Sequence, residues 1–245
     1  MRRIFLIFAL AIVVAYLAVC GFIYAPSEPM HYTRTLIVVT DSDTYDFVHA
    51  ADIRQQIQKA SFRYRGKSVD SVDTYRLSQL IEQNRLIRHA RCYHTPDSSL
   101  RIDITQRHPI MRVKSITEGD FFIDTDGETM PAFTTTAIRL PLVTGYATHS
   151  MVDDGLYEFA RFLQDDRFWR TGITQIWIDN KGEVYLVPRV GNHTILLGSF
   201  DNYEAKLDRL LEFYKKVMPR KGWNAYSVLN LKFDGQVIGE RAETK

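Results

Sequence analysis

Asn84–Val113 reads NRLIRHARCYHTPDSSLRIDITQRHPIMRV, and its centre decides how the first half of the chain is organised. Leu100, Ile102 and Ile104 alternate with Arg101, Asp103 and Thr105, the period-2 pattern of a strand buried on one face. Ala90-Arg91-Cys92-Tyr93 supplies a preceding strand, and the turn-rich His94–Ser99 joins the two as a hairpin. Upstream, Leu36-Ile37-Val38-Val39 reads as a buried strand ending at Asp41-Ser42-Asp43. Phe47–Ala60 carries an incomplete helical stripe of Val48, Ile53, Ile57 and Ala60. Asp73 is a suitable N-cap for a second helix, in which Leu77, Leu80 and Ile81 share a face. Residues 35–107 thus read strand, helix, helix, strand, strand.

The texture changes after Arg107. Phe121-Phe122-Ile123 runs into Asp124-Thr125-Asp126-Gly127, whose Asp-Gly suits a type I′ hairpin. Ile176 and Ile178 lead to Asp179-Asn180-Lys181-Gly182, and Val184 and Leu186 return as a second hairpin. Thr194–Leu197 reads as a further strand. One helix follows Leu156, Phe159, Ala160 and Leu163 at i, i+3, i+4, i+7. Another begins at a capping-box-like Asp201/Glu204 and gathers Tyr203, Leu207, Leu210, Leu211 and Tyr214 on one face. The last element, YSVLNLKFDGQVIGER (Tyr226–Arg241), reads as one strand with an Asp234-Gly235 kink. No internal repeat stands out. The class is α+β.

The N-terminus has a separate character. From Ile4 to Ala25 there is neither charge nor proline, a run long enough for a bilayer core of about 30 Å. Arg2 and Arg3 precede it, so the positive-inside rule keeps the N-terminus in the cytoplasm and exports the rest. A cleaved signal peptide has a shorter apolar core and a small-x-small site. A lipoprotein signal at Leu17-Ala18-Val19-Cys20-Gly21 is compromised by Val19 and by the apolar sequence beyond Cys20. An uncleaved anchor is the expectation. The division is tail 1–3, anchor 4–25, linker 26–34, first domain 35–107, second domain 108–241 and tail 242–245.

The formal charge of +2 comes from Arg2 and Arg3; without them 31 basic residues become 29, equal to the 29 acidic ones. No basic surface is demanded, and nucleic acid is not the expected partner. Cys20 would lie in the membrane and Cys92 outside it, so no disulfide joins them. Cys92 reads as a buried strand residue.

The chain offers little chemistry. Of histidines 31, 49, 89, 94, 108, 149 and 193, only His89 and His94 lie close, at no metal spacing and without an acidic cluster. Asp124-x-Asp126-Gly127 is superficially similar to a calcium loop, but its glycine comes too early. There is no G-x-S-x-G elbow, phosphate loop or dinucleotide fingerprint. No catalytic residue, cofactor or metal is assigned, and the expectation is a protein that is not an enzyme.

One N-terminal anchor, strand-helix-helix-hairpin and then a mostly β domain is an order that resembles the FtsQ/DivIB bitopic cell-division proteins. NRLIRHARCYHTPDSSLRIDITQRHPIMRV resembles the end of that family's polypeptide-transport-associated (POTRA) domain and its entry into the β domain, with Gln106-Arg107-His108-Pro109-Ile110 at the basic-x-Pro-apolar junction. FFIDTDGETMP (Phe121–Pro131), LPLVTG (Leu140–Gly145) and LNLKFDGQVIG (Leu229–Gly239) resemble three further family motifs in order. Two departures are the three-residue cytoplasmic tail and Glu240, where some relatives carry an aromatic residue.

The resemblance implies a transmembrane helix, a small POTRA-like βααββ domain and a larger β-rich domain with flanking helices. It implies a non-enzymatic inner-membrane scaffold at the division septum, linking early and late division components to septal peptidoglycan synthesis. Its implied partners are FtsB/FtsL-type bitopic proteins and other divisome components, besides the bilayer around residues 4–25. The alternatives are another POTRA-containing export or assembly component, for which no run of transmembrane strands follows, and an anchored envelope enzyme. Strand addition to an exposed edge is the mechanism these residues suit. Leu229, Leu231 and Phe233 are expected to pack on the core, and Gln236–Gly239 to form the edge. The partner-binding set is Tyr226, Lys232, Phe233, Gln236, Val237, Ile238 and Gly239. Lys215 and Lys216 could meet an acidic partner or simply end a solvated helix.

Overall fold

The structure, a computed structural model, describes residues 2–23, 31–32, 34–64, 66–68, 71–133 and 138–242, with the side chains of the first helix described from 10 to 20. That helix, α1 (Arg2–Ile23), is 22 residues long and follows the apolar run. Among the described residues no helix is long and apolar enough to cross a membrane, and the outer parts of the expected span 4–25 fall outside the described side chains.

The next elements are β1 (Arg34–Val39), α2 (Ala50–Lys59), α3 (Thr74–Glu82), β2 (Ile87–His94) and β3 (Ser99–Gln106). They build a three-stranded sheet in the order β1-β3-β2, with β1 parallel and β2 antiparallel to β3. As the alternation required, Leu100, Ile102 and Ile104 are fully buried, and they share a core with Ile53 and Ile57 of α2 and Leu77 and Ile81 of α3. The Asp73 carboxylate caps α3 by accepting from Arg76 N at 2.9 Å. β1 differs from its reading as a buried strand: Leu36 is 45% exposed, because it lies level with Arg101 on the face turned away from the helices, whereas Ile37 and Val39 lie level with the buried Ile102 and Ile104. Cys92 is half-buried on β2; burial is the main reason that its thiol is pushed up to about 11.

The second sheet holds β4 (Pro109–Ser115), β5 (Gly119–Asp124), β6 (Thr129–Pro131), β7 (Leu142–Gly145), β8 (Ile173–Ile178), β9 (Val184–Pro188), β10 (Thr194–Gly198), β11 (Tyr226–Asn230) and β12 (Ile238–Arg241). Their order is β12-β11-β10-β9-β8-β7-β4-β5-β6. The helices are α4 (Tyr157–Asp165), entered through a kink at Val152–Leu156 where Gly155 is left-handed (φ 105°), α5 (Arg167–Gly172), α6 (Tyr203–Lys216) and α7 (Met218–Lys221). Leu156, Phe159, Ala160 and Leu163 pack with Leu207, Leu210 and Tyr214 of α6 against Ile176, Leu186, Ile195 and Leu229. β10-α6-β11 is the parallel crossover that carries the chain to its last hairpin.

Three local readings are corrected. First, α6 has no capping box: Asn202 at its N-cap is left-handed (φ 52°) with no side-chain cap bond, and the Asp201 carboxylate accepts from Ser199 Oγ at 2.8 Å. Second, the Asp126-Gly127 hairpin, whose geometry the Lys181-Gly182 hairpin shares, is not type I′, which needs positive φ at both central residues. Only the glycines, Gly127 (φ 84°) and Gly182 (φ 80°), adopt it. Each follows a turn closed by Gly127 N donating to Asp124 O at 3.2 Å, or Gly182 N to Asp179 O at 3.1 Å. In each, the aspartate carboxylate also accepts two amides, those of Asp126 and Glu128 or of Lys181 and Glu183. Ile-Asp-x-x-Gly-Glu is thus a short repeat, at 123–128 and 178–183, which stands out only once the two turns are seen to share these bonds. Third, Tyr226–Arg241 is not one kinked strand but two: β11 and β12 pair antiparallel across the connection Leu231–Val237.

The two sheets meet through a packed joint. Phe133 stacks on Phe47 at 4.4 Å and on Phe122 at 4.6 Å between ring centroids, so Phe122 of β5 and Met130 of β6 join the N-terminal core. Arg107 Nη1 donates to the fully buried Asp124 carboxylate at 2.7 Å, Arg88 Nη2 to Asp126 at 2.6 Å, and Arg85 Nη2 to Thr129 O at 2.9 Å. The buried Gln106 side chain accepts from Val48 N at 2.9 Å and donates to Tyr45 O at 2.6 Å. It thereby holds the loop before α2 beside the Gln106-Arg107-His108-Pro109-Ile110 junction.

Candidate partner-binding edge

β12 is the terminal strand of the nine-stranded sheet, paired only with β11 among the described strands. In an antiparallel edge strand, alternate residues turn their N–H and C=O groups away from the neighbour, where an added strand can meet them. Ile238 pairs with Asn230, Gly239 with Leu229 and Glu240 with Val228; a register shift then separates Val228 from Tyr226.

The seven residues named from sequence divide by position. Phe233 was expected in the core but is 48% exposed: the sheet alternation ends at the buried Leu231, and Phe233 lies in the connection beyond it. Ile238, on β12, is 40% exposed. Gln236 is exposed and Val237 half-buried against the core. Tyr226 is half-buried, its ring edge-on to Phe213 of α6 at 5.6 Å. It also lies across Gly239, where a Cβ would stand 2.5 Å from Tyr226 Cδ1. Glycine is therefore what lets the ring clamp β12 to α6. Lys232 is already engaged: its ammonium pairs with Glu183, which is the main cause of its raised pKa, and its stem covers Gly198.

A groove of about 440 Å³ lies beside this edge, lined by Asp208, Arg209, Glu212 and Phe213 of α6 and by Gly235–Val237. Arg209 Nε and Nη2 are buried there without a hydrogen-bond partner. A guanidinium in that condition favours a carboxylate placed against it. The sequence reading missed Arg209, although its place on the polar side of the α6 pattern was a usable signal. Lys215 and Lys216 both pair with Glu212, at 3.2 and 2.9 Å, the arrangement of a solvated helix end. Those lysines are the first cause of its lowered carboxyl pKa.

No group of three or more His, Cys, Asp or Glu residues that could hold a metal occurs among the described residues. His49, His108 and His149 each face one carboxylate, of Asp46, Asp41 and Glu118 respectively.

Two family models match the chain. A POTRA-like domain matches residues 33–105. The model described as FtsQ/DivIB, C-terminal related, matches residues 108–240. No curated protein matches. The second model spans more than half of the chain and takes in the whole nine-stranded sheet to Glu240, so this chain belongs to the FtsQ/DivIB C-terminal-related family and carries a POTRA-like domain ahead of the matched region.

Proposed function

We propose that this protein is a bitopic scaffold of the bacterial division machinery that captures an extended segment of a small FtsB/FtsL-type partner by strand addition to β12. The family is one of non-enzymatic scaffolds, which supports the class of function. The observation that carries the specific reading is that the terminal strand β12 begins at an exposed Ile238 and is led into by a connection carrying an exposed Phe233, beside a groove containing the unpartnered Arg209 atoms. Main-chain bonds along β12 supply affinity, and side chains seated by Phe233, Ile238 and the α6 groove supply specificity. α1, with Arg2 and Arg3 at its start, anchors the chain in the inner membrane with its C-terminal domains outside. The domains are then anchor 4–25, POTRA-like 35–107 and β-rich 108–241, acting at the septum.

The test is capture of an FtsB-type partner by the full-length chain and by Phe233→Ala and Val237→Asp variants, with thermal unfolding as the control for folding. The proposal predicts weakened capture by variants that remain folded. Unchanged retention would remove β12 and its connection from the interface. A tagged copy that stays diffuse in the envelope throughout the division cycle would remove the septal role.

A further inference from the structure

A second surface lies on the POTRA-like domain, away from β12. Arg54, Ile57 and Gln58 of α2 and Phe62, Arg63 and Tyr64 beyond it line a cavity of about 340 Å³. Its floor is apolar, since Ile57 and Tyr64 are buried and Phe62 half-buried, whereas Arg54 and Arg63 are exposed. Lys59, in the last turn of α2, and Lys67 are exposed nearby in sequence. None of these four cations has an ion pair among the described residues, whereas Arg88, Arg107 and Arg112 elsewhere are paired.

The chain's path ties this loop to the N-terminal segment. Tyr32 N donates to Lys67 O at 3.2 Å, His31 bridges Ser68, and Lys67 N donates to Tyr64 O at 3.1 Å. Only residues 26–30 separate the end of the apolar run at Ala25 from that bridge. Six steps of fully extended chain reach at most about 20 Å. Wherever the anchor leaves the bilayer, the 31–68 bridge must therefore lie close to the lipid surface. Unpaired cations around an apolar recess are complementary to anionic phospholipid, with the phosphate at the guanidinium groups and the upper acyl region over Phe62.

We infer that the Arg54/Arg63 recess is a docking site for an anionic phospholipid headgroup of the membrane holding the anchor, and that it fixes the POTRA-like domain against that membrane. This rests on the anchor reading above. The experiment is hydrogen exchange of the full-length chain in nanodiscs of phosphatidylcholine, with or without one-third phosphatidylglycerol.

The expected result is slower exchange in peptides spanning 58–68 with phosphatidylglycerol only, lost in an Arg54→Glu/Arg63→Glu variant and kept in a Lys181→Glu control. A difference of at least roughly fivefold per arginine replaced follows from the usual strength of one cation near an anionic surface, before the repulsion of the new carboxylate is added. Both arginines are exposed, and unchanged exchange in β3 and β8 shows that the variant is folded. Equal exchange in the two lipids, with the chain incorporated, overturns the docking site and leaves the anchor standing. Failure to enter either nanodisc overturns the anchor and this inference with it. Protection by inorganic phosphate in phosphatidylcholine alone identifies a soluble-anion site and overturns the lipid assignment.

Discussion

Replacing Gly239 by alanine probes the strand on which the proposed function depends. The new methyl group would meet Tyr226 Cδ1 at 2.5 Å and Cε1 at 2.6 Å, so the ring must swing off β12 or the strand must lift. Swinging gives up the edge-on contact with Phe213, at about 0.5–1.5 kcal/mol for such a pair. Forcing a methyl group into a filled space costs about 1–3 kcal/mol. The strain falls on a four-residue edge strand rather than on either core, so about 2 kcal/mol should appear as local opening of β12. That corresponds to roughly thirtyfold faster amide exchange at 238–241, with little change in the denaturation midpoint. In a Tyr226→Ala background the same substitution should cost much less, because the clash has gone. Equal effects of Gly239→Ala with and without Tyr226 would refute the clamp.

The two Asp-x-x-Gly-Glu turns provide a matched comparison: Asp124→Ala strands Arg107 at the joint and should cost about 3–5 kcal/mol, whereas Asp179→Ala removes turn bonds alone and should cost about 1–3 kcal/mol, both read by urea unfolding. His193, buried with Nε2 2.7 Å from Tyr214 Oη, has its pKa lowered chiefly by burial. The unfolded chain therefore binds the extra proton as pH falls through 6.5, and stability should decline from there by up to about 1.4 kcal/mol per pH unit; His193→Phe should flatten that slope. Cys92, with its thiol raised to about 11, should react slowly with maleimide at pH 7 until urea exposes it; fast labelling of the folded chain would contradict its environment.

The POTRA-like half was legible where one face of an element is buried. Leu100, Ile102 and Ile104 announced β3, and Asp73 announced α3, because alternation and capping are local physics. β1 misled because Leu36-Ile37-Val38-Val39 is continuously apolar, a pattern that suggests both faces are covered, whereas helices cover only the face of Ile37 and Val39. The terminal hairpin was read as one strand because Phe233 and Val237 continue an apolar rhythm through the connection. Only the pairing of Ile238 with Asn230 shows that the chain has turned back. The Asp126-Gly127 pair names a turn without fixing its type, which depends on the negative φ at Asp126. The joint built on Gln106, Arg107 and Asp124 was legible only as a motif. Its bonds run between residues far apart in sequence, and no local pattern encodes them. Arg209 escaped for a related reason: its significance comes from the β11–β12 connection lying beside it.

Site-specific photocrosslinking in dividing cells tests the central claim most directly, with a photoreactive residue placed in the full-length chain at Phe233, Ile238 or Glu240, and at Trp177 on a distant exposed part of the sheet. Strand addition at β12 predicts crosslinks from 233, 238 and 240 to one small bitopic membrane protein, and none from 177 to that protein. Crosslinks from 177 with silence along β12 would contradict it.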